Sequence, residues 1–177
     1  MPNIVYVGAS LDGYIADRNG GLEWLGMVPN PDNSDYGFAE FMDSIDALLM
    51  GRKTLETVLE FGCEWPYSKS VFVLSGTMTE VPDAVKDKVE IVNDTLENVV
   101  SALNTKGFER LYVDGGQLVQ GCLNADLIDE LIITRIPILL GGGTPLFGAL
   151  PSHLEFDHIE TTVLLGEMVK SHYKRKR

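Results

Sequence analysis

The stretch Asp46-Ala-Leu-Leu-Met-Gly-Arg-Lys-Thr54 decides the fold. Its first five residues form a short apolar run suited to a buried strand, and residues 54–60 continue as a helix. The glycine between them lets the backbone approach a ligand, the helix N-terminus offers unpaired N–H groups, and Arg52 and Lys53 add positive charge. The same arrangement recurs where Arg110-Leu-Tyr-Val113 runs into Asp114-Gly115-Gly116 and a helix to about Leu123. Neither turn matches G-x-x-x-x-G-K-[ST] or G-x-G-x-x-G, and either alone could be turn chemistry. Together, at one end of a parallel sheet, they are consistent with a dinucleotide lying across the strand ends.

Outward from these turns, residues 3–9 read as a strand, closed by Asp12-Gly13, and residues 29–37 as a loop rich in Pro, Asn and Asp. Phe38, Phe41, Met42 and Ile45 recur at helical spacing, with Asp35 near the helix start. Val71–Leu74 and Val89–Val92 are further strands. Asp94, with Glu97 three residues on, reads as the N-cap of a helix reaching about Leu103. Leu127 to Leu140 contains a long β-rich run ending at Gly141-Gly142-Gly143, and residues 154–165 and 167–174 form a closing hairpin around Gly166. Helices alternate with strands as far as residue 125 and strands dominate afterwards. The expected fold is therefore α/β, with a mostly parallel sheet covered on both faces and an antiparallel C-terminal edge, in one domain over residues 1–177.

Composition narrows the function. Apolar residues make up 45% and charged residues 23% of 177, as in an ordinary globular protein. The formal charge of −12 argues against a nucleic-acid partner, which needs a basic face. Five cations lie in the last eight residues (Lys170, Lys174, Arg175, Lys176, Arg177), and in the remainder nine cations face 26 acids. That tail reads as a solvated end offsetting self-repulsion. No apolar run is long enough to span a membrane and no signal segment is visible, so a cytoplasmic protein is expected. Cys63 and Cys122 read as buried free thiols, and the three histidines (His153, His158, His172) have no metal-ligand spacing.

Ser10-Leu-Asp-Gly-Tyr-Ile-Ala16, Asp46–Thr54, Val73-Leu-Ser75, Val113-Asp-Gly-Gly116 and Pro137-Ile-Leu-Leu-Gly-Gly-Gly-Thr-Pro-Leu-Phe147 occur in that order. In this combination the chain resembles the dihydrofolate reductase superfamily, in the branch of the riboflavin-biosynthesis reductase domain (the RibD C-terminal type). The resemblance implies a three-layer αβα fold and NADPH binding. Gly51, Arg52, Lys53 and Thr54 would hold the phosphates, with Leu74, Ser75 and Gly76 beside the adenosine 2′-phosphate. Gly115, Gly116, Gln117 and Leu118 would support the pyrophosphate, and Gly8 and Ile15 would meet the nicotinamide carboxamide through their backbones.

On the substrate side three acids are candidates for the proton donor, with a relayed water as the alternative. Asp35 stands where folate reductases carry their carboxylate, and it is also a good helix cap. Asp12 and Asp114 match acidic positions of riboflavin-type reductases; Asp12 also suits a turn, and Asp114 also suits a cap for the following helix. Thr134 matches a pterin-contacting threonine, and Trp24 could line a pocket or cover a core edge. The chain lacks the His-x-Leu-Arg and Asp-Pro…Arg patterns that riboflavin-type reductases use around a ribose phosphate, and it lacks their zinc deaminase half. The expected function is an NADPH-dependent reductase of a small heterocyclic, pterin- or pyrimidine-like substrate, without metal or flavin. The alternative is a non-catalytic nucleotide-binding module. A homodimer packed through the apolar run 136–140 is compatible with either.

Overall fold

Leu48, Leu49 and Met50 are all fully buried, yet they belong to two different cores. Leu49 packs into one apolar cluster, while Leu48 and Met50 pack into another. Successive side chains of a strand point to opposite faces, so a strand with apolar residues at every position must lie between two covered faces. The computed structural model, which describes all 177 residues, bears this out.

The elements run β1 (Asn3–Ser10), β2 (Tyr14–Ala16), α1 (Phe38–Ser44), β3 (Ala47–Gly51), α2 (Arg52–Glu60), β4 (Ser70–Leu74) and β5 (Val89–Val92). They continue with α3 (Leu96–Thr105), β6 (Leu111–Asp114), α4 (Gly116–Asn124), β7 (Glu130–Ile136), β8 (Thr144–Pro145), β9 (Phe156–Leu164) and β10 (Met168–Arg175). Eight strands form one sheet in the order β5-β4-β3-β6-β1-β7-β10-β9. All pairings from β5 to β7 are parallel, and β10 and β9 add antiparallel at the edge. Helices α3 and α4 pack Val99, Leu103, Leu118 and Cys122 onto one face. On the other face α1 and α2 pack Phe41, Met42 and Leu55.

Several sequence expectations need correction. The β-rich run to Leu140 is a strand only as far as Ile136. Ile136 is buried with Trp24, Val28 and Met168, Ile138 and Leu140 pack beside them, and Pro137 and Leu139 stand out, Leu139 being 69% exposed. The segment 136–140 therefore offers no free strand for a twin. The N-cap of α3 is Thr95, whose hydroxyl accepts from the Asn98 N–H at 3.3 Å. Asp94 instead accepts from the Thr95 N–H and the Asn98 side-chain amide at 2.7 and 2.8 Å. Cys122 is buried, with its thiol pushed up to about 12 by burial, but Cys63 is exposed.

The basic tail is folded onto the acidic body. Arg175 forks onto Asp126 at 2.8 and 3.1 Å, Arg177 pairs with Asp129, and the Lys170 ammonium donates to the Tyr36 carbonyl at 2.7 Å. No helix is long and apolar enough to cross a membrane.

Candidate functional site

The strand order reverses between β1 and β6, because β3 to β5 lie on one side of β1 and β7 on the other. In open α/β sheets the carboxyl ends of strands at such a switch leave a crevice. Here the crevice is a cavity of about 790 Å³, within the range of small-molecule sites. It runs from Leu74 and Leu96 past the first turns of α2 and α4 to Gly8 and Ile15, and on to a compartment lined by Tyr6, Leu22, Leu25, Phe61, Tyr67, Tyr112 and Asp114.

Two glycine-fronted helix N-termini face this space. Gly51 precedes α2, and a Cβ built on it would meet nothing within 4 Å, so a side chain there would stand in the cavity itself. Gly115 precedes α4 with φ +107°, a left-handed conformation that favours glycine, and a Cβ there would overlap the Thr54 hydroxyl. A Cβ on Gly116 would press on Thr144 and Ile15 at 3.0 and 3.2 Å, and one on Gly8 on Leu25 at 2.8 Å. The floor is thus backbone. First-turn N–H groups, the positive ends of two helix dipoles, and the side chains of Arg52 and Lys53 make a donor set suited to an anionic dinucleotide. Arg52 is only loosely paired, its Nε lying 3.7 Å from the exposed Glu56 carboxylate.

Of the residues singled out in the sequence, Gly8, Ile15, Gly51, Arg52, Lys53, Thr54, Leu74, Gly115, Gly116, Gln117, Leu118 and Asp114 line this one cavity. The remainder do not. The Ser75 hydroxyl is buried and accepts the N–H groups of Thr77 and Met78 at 3.3 and 3.0 Å, which makes it a turn-former, and Gly76 lies beyond it at the surface. Trp24 is core cover, its indole N–H donating to the Gly21 carbonyl at 3.1 Å. Thr134 pairs with Gly8 on one side and Lys170 on the other, within the sheet and outside the cavity lining.

The three acids separate by environment. Asp35 is exposed and accepts the N–H groups of Gly37 and Ala39 at 2.9 and 3.0 Å. These bonds, Ala39's first, hold its carboxyl below the usual range. Asp12 is also exposed. It accepts from the Ser10 hydroxyl at 2.6 Å and from the Leu140 and Gly141 N–H groups at 3.1 and 2.8 Å. Those bonds, led by Ser10, depress its carboxyl too. Both are structural clasps. Asp114, half-buried at the end of β6, is the one carboxylate in the cavity lining. Burial pushes it up to about 6, opposed only by the Gly115 N–H. A carboxyl titrating there carries a proton in a useful fraction of molecules near neutral pH.

Sequence reasoning missed the tyrosines. Tyr112 donates its hydroxyl to the Tyr6 carbonyl at 3.1 Å, and Tyr6 donates to the Tyr36 carbonyl at 3.2 Å. Burial pushes Tyr6 up to about 12 and raises Tyr67 and Tyr112 further, with the Asp114 charge adding to the last two. Tyr6 and Tyr112 alternate with core residues on β1 and β6, so period two marks the face they share. No comparable signal marks Tyr67, which lies in the loop between α2 and β4.

Comparison with known proteins agrees with this geometry. Residues 4–165 match the model of the RibD C-terminal domain. The Bacillus subtilis (strain 168) protein YwjB is 32% identical over 175 residues, covering 97% of each chain. A crystal structure from Shewanella sp. PV-4, described as that of a riboflavin biosynthesis protein, is 56% identical, covers both chains fully and has a TM-score of 0.98. A Thermotoga maritima deaminase and 5-amino-6-(5-phosphoribosylamino)uracil reductase shares the fold with TM-score 0.74 at 14% identity. This chain covers 57% of its length, and 99% of this chain is matched. With the fold, the cavity and these likenesses in agreement, the chain belongs to the RibD C-terminal domain family.

Proposed function

We propose that the protein is an NADPH-dependent reductase of a small heterocyclic, pterin- or pyrimidine-like compound. The observation that carries this reading is Asp114, a carboxylic acid with its pKa raised by burial, set in the same cavity as two glycine-fronted helix N-termini. The family and its reductase relatives support it.

When bound, NADPH supplies the hydride through its nicotinamide ring. The chain's own residues bind, orient and protonate. Gly51 to Thr54 and Gly115 to Leu118 offer N–H groups and charge to the phosphates, and Leu74 and Leu96 give apolar cover at the far end. The backbones of Gly8 and Ile15 border the path to the substrate compartment, and the absence of a side chain on Gly8 makes room for Leu25 beside it. Arg52 is the remaining candidate for reading a 2′-phosphate, since the Ser75 hydroxyl is committed to its own turn. Asp114 holds a proton on its carboxyl oxygen for the substrate atom that gains negative character, and the aromatic walls limit water.

We place the reaction in a reducing cytoplasm, in keeping with two free cysteines. The small-molecule substrate and the lack of a nucleic-acid or membrane partner belong to the same reading. So does a homodimer, now assigned to the edge strand β9, whose Ile159 and Val163 are 51% and 61% exposed.

The direct test is the melting temperature with NADPH, NADP⁺ and NADH. A ligand at about 100 times its dissociation constant should add roughly 2.7 kcal/mol. A larger shift with NADPH than NADH supports Arg52 as the reader and warrants a substrate screen by loss of NADPH absorbance. No shift with any of the three removes the reductase reading.

A further inference from the structure

We propose that the substrate compartment takes a flat heterocycle without a phosphate and discriminates against the phosphorylated form of the same ring. This rests on the cofactor reading above and concerns the other end of the same cavity.

Of the 14 lysines and arginines, only Arg52 and Lys53 line the cavity. Both lie in the first turn of α2, where the cofactor phosphates would claim them. From there α2 carries the cavity wall through Thr57 and Val58 to Phe61. Nine residues of helix advance about 13 Å, so neither cation reaches a group seated at Phe61. That end of α2 presents carbonyls, the negative pole of the helix. The facing walls are Leu22, Leu25, Tyr6 and Tyr67.

The one carboxylate in the lining is Asp114, at the end of β6 opposite Met50, and it repels a phosphate when charged. Lys170 stands beside the outer end of Tyr6. Its ammonium shares the Tyr36 carbonyl with the Tyr6 hydroxyl, at 2.7 and 3.2 Å, and the Asp35 charge acts on both groups. It is not part of the lining. A phosphate in this compartment would have no cation beside it, whereas an aromatic ring would find apolar and tyrosine surfaces and one carboxyl for a ring nitrogen. This contrasts with the phosphorylated compound named for the Thermotoga maritima relative.

The test is calorimetric titration of the full chain, saturated with NADP⁺, using 5-amino-6-(ribosylamino)uracil and its 5′-phosphate. The unphosphorylated probe should bind at least thirtyfold more tightly. Equal or tighter binding of the phosphate overturns the proposal, as does failure of both probes at millimolar concentration on a protein that binds NADP⁺. Failure of NADP⁺ itself to bind strikes the underlying cofactor reading instead. Phe61 is 55% exposed, so Phe61→Arg should fold and bring a cation to this end. It should tighten the phosphorylated probe at least tenfold relative to the unphosphorylated one. No gain would show that a missing cation is not what discriminates.

Discussion

The two ends of the cavity are built from different materials. The end proposed for the cofactor is backbone: Gly51, Gly115 and Gly116 with the first turns of two helices. The end proposed for the substrate is side chain, contributed by β1, the loop after β2, the end of α2 with its following loop, and β6. A backbone surface is spoiled by adding a Cβ, while a side-chain surface is reshaped by any exchange of its residues. The first end is therefore restricted to sequences that keep glycine at a few positions, and the second can be retuned without disturbing the fold.

The largest effect should come from the side-chain end. Asp114→Asn should lower kcat by about 10²–10³ and change NADPH affinity less than threefold. A nucleotide-binding module would instead have no turnover to lose. Wild-type kcat should fall as pH rises through about 6, where the proton-bearing carboxyl is lost, and the variant should lack that fall. Stability follows the same sign. The folded-state pKa lies above the ordinary carboxylate value, so the native protein loses stability between pH of about 4 and about 6 and is level above that. Asp114→Asn should melt higher than wild type at pH 7 by about 5–10 °C, a margin that closes near pH 4.

The backbone end should respond to two glycine substitutions in opposite ways. Gly115→Ala forces a side chain into left-handed backbone and onto Thr54, and should lower the melting temperature of the free protein, by about 2–4 kcal/mol in stability. Gly51 has an ordinary extended backbone, φ −84°, and opens onto empty space. Gly51→Ala should leave the free protein's melting unchanged and weaken NADPH binding about tenfold. Equal melting losses in both would erase the distinction between the two turns.

A smaller effect separates charge from turn-forming. Arg52→Ala should weaken NADPH several-fold and spare NADH. Ser75→Ala should leave that ratio alone and destabilise by about 1–2 kcal/mol, through the Thr77 and Met78 N–H groups it abandons. Smallest of all, Asp35→Asn should change kcat less than twofold, since its carboxylate serves the start of α1.

The sheet was legible because two buried faces demand runs such as Leu48-Leu49-Met50, and the turns into α2 and α4 because glycine marks them. The candidate site was legible to the same depth. Gly51 to Thr54 and Gly115 to Leu118 announce a backbone cradle, and the structure gathers them around one cavity. The acids were not separable by sequence. Asp12, Asp35 and Asp114 each sit beside turn or helix-start residues, and only the tertiary fold decides which carboxyl meets N–H groups and which meets a cavity. Tyr67 was out of reach for a related reason: a loop side chain is aimed by what the loop crosses, and no periodicity records that.

The central place of β1 also bears on how the chain is made. Its partners begin at Leu111 and Glu130, so a ribosome adding about 5–20 residues per second leaves β1 waiting on the order of 5–20 s for its first neighbour. During that time the strands β3, β4 and β5 can pair among themselves, and the eventual sheet must still admit β1 and β6 between β3 and β7. The apolar run Ile4-Val5-Tyr6-Val7 is thus a nascent-chain hazard that the finished molecule conceals. Chaperone dependence during synthesis is a sharper measure of this fold's difficulty than the stability of the purified protein.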